Sequence, residues 1–290
     1  HRWAVNETPL PPGVFRFEKS WISIFACGLW FALMAWGLIV WQTQHTPDVA
    51  PSEFGRFCRI PFQLVLIALL WGTVVTDLRD YVIPDSIVIA GISIGLGGQF
   101  LSGELQIQHL WIDWNAEIEG IKGAYVPSWI DQWRRLHGLV VGLVGMVTGA
   151  GITWLVRAVS SKLIGQETMG LGDVTLMAMI GSFLGWQPVL FVLLLAPLCG
   201  VVLSLAQRFL GGKTYLPFGP FLALATLVVL LTWKWLWMPL RYVFGHPPSL
   251  AILLGGASIA FVLLLILARL YRAIPIHSND RYSQFKSESL

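Results

Sequence analysis

Charge is what this sequence has least of. Of its 290 residues, only 12% are Asp, Glu, Lys or Arg, about half the share usual in soluble domains. Hydrophobic residues make up 56%. A chain of this size cannot hide so much apolar surface in one interior, which excludes an ordinary soluble globule. The same composition excludes a disordered chain, which needs low hydrophobicity and high charge. Cysteine is also scarce. Cys27, Cys58 and Cys199 stand alone with no CxxC pair, so neither a zinc ribbon nor a disulfide framework is expected. Cys27 and Cys199 fall within apolar runs and read as packing residues. The net charge is only +3, and Lys and Arg are scattered rather than clustered. That pattern predicts no nucleic-acid partner. No internal repeat is visible, and nothing in the sequence calls for a metal or another cofactor.

What the sequence has in abundance is long apolar runs. They occupy 20–42, 61–78, 85–101, 137–158, 173–186, 188–207, 216–237 and 250–270. Backbone polar groups in hydrocarbon must be satisfied within the segment, so each run is expected to be helical. The run 173–186 is too short to cross about 30 Å of hydrocarbon at 1.5 Å per residue. It reads as a recessed helix that turns at Gly185-Trp186-Gln187-Pro188. The expected fold is an all-α, polytopic membrane protein with about eight transmembrane or partly inserted helices over residues 20–270. Residues 1–19 form an N-terminal segment and 271–290 a polar, Ser-rich tail expected to be disordered.

Eight passes put both termini on one side. Of the 19 Lys and Arg residues, 12 then fall on the side of the termini and 7 on the other. The positive-inside rule makes the first side cytoplasmic. Segments 78–84 and 159–172 thus face the cytoplasm. The loop 102–136 is extracytoplasmic, and its Trp111, Trp114, Trp129 and Trp133 read as interfacial indoles. The expected location is the inner, cytoplasmic membrane, with the lipid bilayer as solvent.

Acids are few, so their placement is informative. Asp77 closes the run LVLIALLWGTVVTD, and Asp173 opens DVTLMAMIGSFLGW. An ionisable group at the edge of a membrane helix is a functional candidate by default. The local readings are plainer: Asp173 as a helix N-cap, and Asp77 as a boundary charge beside Arg79. Two facing carboxylates in a low-dielectric site can share one proton. One then activates a water as general base, while the other polarises a carbonyl. Gly170 and Gly172 lack a Cβ and let backbone or substrate approach Asp173 closely.

Three motifs in order sharpen this reading. The first is Asp77-Leu78-Arg79-Asp80-Tyr81-Val82-Ile83-Pro84-Asp85. The second is Glu167-Thr168-Met169-Gly170-Leu171-Gly172-Asp173, and the third Pro217-Phe218-Gly219-Pro220-Phe221-Leu222-Ala223. Together they resemble the type IV prepilin peptidases, membrane aspartyl proteases of the GxGD type, over roughly residues 60–235. The resemblance implies a catalytic pair, Asp77 and Asp173, shaped by Gly170, Gly172, Glu167 and Pro84. It implies no metal and no cofactor. It also implies a prepilin-like substrate of type IV pili or type II secretion, with a short basic leader before an apolar helix, cut at the cytoplasmic face. The local reading of Glu167 is a solvated loop acid, and that of Pro217–Pro220 a turn that starts a helix.

The sequence departs from the family pattern in two places. Thr175 stands where many members carry Lys two residues after the second aspartate. No paired CxxC motifs are present, so the resemblance does not extend to N-methyltransferase activity. The alternatives are a proton-coupled transporter built on membrane-edge carboxylates, a non-catalytic assembly subunit, and a GxGD protease with a non-pilin substrate.

Overall fold

A computed structural model describes residues 21–46, 49, 52–118, 121–125, 128–165, 167, 169–209 and 217–273. The expectations for segment 1–19 and for the tail beyond 273 lie outside them. The helices are α1 (Trp21–Ile39), α2 (Glu53–Asp80), α3 (Asp85–Ser102), α4 (Ser128–Gln132), α5 (Arg134–Ile164), α6 (Leu171–Leu184), α7 (Trp186–Phe209), α8 (Gly219–Gly245) and α9 (Pro247–Ala273). Among the described residues, five of these are long and apolar enough to cross a membrane: α2, α3, α5, α8, and α7 over Trp186–Ala206. The chain is a multi-pass membrane protein built as a helical bundle. Each of the eight apolar runs corresponds to a helix. One addition falls in the loop after α3. There β1 (Asp113–Ile118) and β2 (Ile121–Tyr125) pair antiparallel as a two-stranded hairpin.

The recessed helix is the centre of the bundle. α6 has 14 residues, about 21 Å of helix at 1.5 Å per residue. Every side chain from Leu176 to Leu184 is buried. Gly185 then adopts φ 84°, its N–H closes on the Gly181 carbonyl, and α7 starts at Trp186. A left-handed residue of this kind ends a helix at no steric cost only when it is glycine.

The partners of α6 come close because α5 offers glycines. A Cβ on Gly145 would run into the Gly181 carbonyl oxygen, and a Cβ on Gly181 into that of Gly145. Small residues at such crossings let helix backbones meet where lipid supplies no hydrophobic drive. Gly145→Ala and Gly181→Ala are each expected to lower stability by about 1–3 kcal/mol through overpacking. Gly151→Ala, which meets open space on the same helix, is expected to be neutral or slightly stabilising. Thermal unfolding in detergent reads the difference. A buried amide adds direction, since Gln99 Nε2 of α3 donates to the Phe183 carbonyl at 2.8 Å.

The first part of the loop after α3 is not a floating interfacial segment. Leu105, Ile107 and Ile112 are buried. The loop backbone is tied to the bundle by Arg59, His137, Trp186 and Gln187. Trp111 does stay part-exposed, stacked at 6.3 Å on Trp186.

Candidate active site

The buried stripe of α2 runs Phe62, Leu66, Leu70, Thr73 and Asp77. These residues recur every three or four positions, so Asp77 continues the apolar face that packs inward. It is only 5% exposed. Its neighbours Arg79 and Asp80 are exposed and pair with each other at 3.6 Å. The boundary-charge reading of Asp77 therefore fails, because a snorkelling carboxylate would lie on that outer face.

α2 stops just beyond Asp77. Tyr81 takes the left-handed conformation at φ 54°, and its N–H bonds the Asp77 carbonyl at 3.1 Å. Pro84 then caps α3 in an extended conformation and accepts from the Ile87 and Val88 N–H groups. Between them Ile83 turns inward and is buried.

Asp173 sits in the first turn of α6, and the residue at the cap is Gly170, whose backbone is extended at ψ 158°. Asp173 is thus not the N-cap. Its carboxylate instead faces back to the Gly170 N–H, the acidic half of a capping box. At 8% exposure it is as buried as Asp77. Two residues on, where family members often carry Lys, the Thr175 hydroxyl bonds the Gly172 carbonyl at 3.0 Å.

The two carboxylates are near enough for their charges to interact. The third motif completes the enclosure. α8 starts at Gly219, with Pro220 in its first turn. The Gly219 N–H faces the Asp77 carboxylate, and a Cβ on Gly219 would run into Asp77 Oδ2. That oxygen is buried without a hydrogen-bond partner among the described residues. Ile83 is the wedge between the motifs. Its Cβ lies 3.2 Å from where a Cβ of Gly172 would be, and its Cδ1 3.6 Å from that of Gly219. Three segments far apart in sequence, at Ile83, Gly172 and Gly219, thus meet around one apolar side chain. The N-termini of α6 and α8 both present N–H groups to a carboxylate, the arrangement that helix dipoles favour.

Glu167 is not part of this enclosure. Its side chain is 85% exposed and pairs with Arg157 Nη2 at 3.3 Å, as the solvated-acid reading held. Sequence reasoning did not single out Arg157 itself. From the end of α5 its Nε donates to the Met169 carbonyl at 2.8 Å, one residue before Gly170. The signal available was an Arg closing a long apolar run just ahead of the glycine motif. Arg157→Ala is expected to reduce turnover about tenfold, by loosening the loop that aims Asp173. Glu167→Gln should stay within about twofold, since exposed ion pairs contribute little. Steady-state kinetics on the two variants decides. Among the described residues, no group of three His, Cys, Asp or Glu gathers as a metal-ligand set.

A polytopic helical bundle that holds two neighbouring carboxylates at converging helix ends is a distinct class of membrane protein. The sequence model of the type IV leader peptidase family matches residues 64–205, a span that holds both aspartates. Over that span, just under half of its length, the chain is similar to members of that family. It is 30% identical over 164 residues to the prepilin leader peptidase/N-methyltransferase of Aeromonas salmonicida (strain A449), covering 56% of this chain and 50% of that protein. The protein of the same name from Pseudomonas putida is 30% identical over 174 residues, 58% of this chain and 49% of that one. That of Legionella pneumophila is 26% identical over 184 residues, 62% and 53%. The chain spans about half the length of the curated relatives it matches. No solved structure matches it.

Proposed function

We propose that this chain is a membrane aspartic endopeptidase that removes the leader from prepilin-like substrates, with Asp77 and Asp173 as its catalytic pair. One observation carries the reading: Asp77 lies on the buried stripe of α2 and within reach of the charge of Asp173. Neighbouring carboxylates in an apolar enclosure hold one proton between them. The ionised member takes a proton from a water, whose oxygen attacks the scissile carbonyl carbon. The protonated member gives its proton to the carbonyl oxygen, so a neutral tetrahedral diol forms. The diol collapses as the C–N bond breaks: the protonated carboxyl gives its proton to the departing amine, the ionised one takes a proton from a diol hydroxyl as the carbonyl re-forms, and the pair is left with its single shared proton. The steps balance with water alone.

Gly170 and Gly172 keep the approach to Asp173 open, and Pro84 fixes the turn that carries Ile83. The substrate is a chain with a short basic leader before an apolar helix, which the surrounding spans accept side by side in the bilayer. The basic-residue bias of the loops favours the cytoplasmic face of the inner membrane for the cut. Carboxylates at helix ends favour this reading over a transporter, whose sites lie near the midplane. The matched segment covers about half of the family relatives named for N-methylation as well. The lone Cys27, Cys58 and Cys199 offer no CxxC pair, so the proposal is confined to the peptidase reaction.

The test is a cleavage assay in detergent with a synthetic leader peptide that places Gly at the cut before an apolar helix. Product masses from a single cut after that Gly are expected. A peptide left intact by a folded protein, or cut at scattered positions, contradicts the proposal.

A further inference from the structure

A second site lies at the other end of α2. A cavity of about 400 Å³ opens between the end of α1, the turn that follows it and the first turns of α2. Phe57, one of its lining residues, stands 20 residues before Asp77, about 30 Å of helix from the carboxylate pair. Its size falls in the range of small-molecule sites.

The lining is mixed: Leu38, Ile39, Phe57 and Ile60 are apolar, and Arg56 and Arg59 supply positive charge. The turn beside it is rigidly set. Gln44 and Gln63 exchange amide hydrogen bonds at 2.8 and 2.7 Å, and Lys234 N–H bonds the Thr43 carbonyl at 2.8 Å. Arg59 is 5% exposed. Its Nη2 donates to the Glu104 and Gln106 carbonyls at 3.1 and 2.7 Å, but its Nε is buried with no partner among the described residues. Arg56, one helical turn earlier, is exposed, and its side chain makes no ion pair or hydrogen bond among the described residues. The nearby Glu104 is already engaged by Arg134 and by Ser52. Two guanidinium groups thus stand on neighbouring turns of one face, with Glu53 as the one carboxylate among the described residues of the lining, an excess of positive charge that an anion relieves.

We propose that this cavity binds the phosphodiester headgroup of an anionic membrane lipid. The shared chemistry is phosphate on paired guanidinium groups. Two features point to a lipid as its source. Phe57 and Ile39 of the lining are 72% and 61% exposed, as is Phe54 about one turn before Phe57 at 77%, and side chains like these on a membrane helix end face acyl chains. Glu53 also lines the cavity. Its carboxylate tolerates the single charge of a phosphodiester better than the double charge of a free phosphate.

Binding to the purified full chain tests this, read by native mass spectrometry and by the shift in thermal unfolding. The probes are phosphatidylglycerol, phosphatidylcholine and soluble glycerol phosphate. Phosphatidylglycerol is expected to bind and to raise the unfolding temperature, with the other two without effect. Arg56→Gln, an exposed position that leaves the fold intact, is expected to weaken phosphatidylglycerol about tenfold, the loss of one charge-assisted contact. Leader cleavage in neutral detergent should be unchanged by this variant. Equal binding of phosphatidylcholine overturns the proposal, as does full phosphatidylglycerol binding by Arg56→Gln. Glycerol phosphate binding as tightly as the lipid overturns the lipid assignment.

Discussion

Asp77→Asn and Asp173→Asn are each expected to abolish leader cleavage, with turnover down by about 10³-fold or more, the scale of lost general acid–base catalysis. Asparagine keeps the size of the side chain and a hydrogen-bond acceptor for the Gly219 and Gly170 N–H groups. Folding and membrane insertion should therefore survive, as size-exclusion behaviour and circular dichroism would show. The exposed Asp80, three residues from Asp77 and paired with Arg79, is the internal control. Asp80→Asn should cleave within about twofold of the parent, since exposed pairs matter little. Equal loss in Asp80→Asn would place the effect in the charge of the loop rather than in the pair. Loss in only one of the two buried variants would leave a single carboxylate at work and refute the shared-proton chemistry.

The second large effect concerns a residue with no side chain. Gly219→Ala puts a methyl group against Asp77 Oδ2, with Ile83 close on another side. The carboxylate has to turn away, and displacement of a catalytic group by about 1 Å costs about 10²-fold in rate. The loss should fall on kcat with little change in KM, because the added methyl group meets the carboxylate rather than the spans proposed to accept the substrate helix. In isolation the substitution would favour a helix, as alanine is the better helix former. Stability should therefore hold while activity falls. Gly97→Ala in α3, which meets nothing within 4 Å, should leave both unchanged. A Gly219→Ala protein with parental kcat would show that the start of α8 does not bear on Asp77.

How much of this was legible in the sequence depended on range. The bundle was, because apolar length is a local property. The recess of α6 was too, since 14 apolar residues and a following glycine can be read without tertiary structure. The start of α2 was not. It begins at Glu53, eight residues before the apolar run at 61, with Ser52 as its cap and Pro61 inside. A hydropathy reading passes over the first two turns, which hold Arg56 and Arg59. Asp77 and Asp173 stood out as acids at the ends of apolar runs. That Asp77 points inward needed the register of the α2 stripe, which Thr73 half conceals. Gly219 lies 142 residues from Asp77, and no periodicity links them. The buried stretch around Leu105 and Ile107 depends on side chains of α2, α5 and α7, so composition alone made it a surface loop.

The measurement closest to the central claim is the affinity of a tetrahedral analogue. In this ligand the scissile amide of the leader peptide is replaced by a hydroxyl-bearing carbon that cannot be cleaved. A pair that shares one proton grips such a hydroxyl from both sides, as it does the diol. The parent protein is predicted to bind the analogue at least about 10²-fold more tightly than the cleavable peptide, as transition-state analogues do. Asp77→Asn and Asp173→Asn are each predicted to lose that advantage while still binding the peptide. Equal affinity of analogue and peptide in the parent, or an advantage that survives in either variant, would contradict the account.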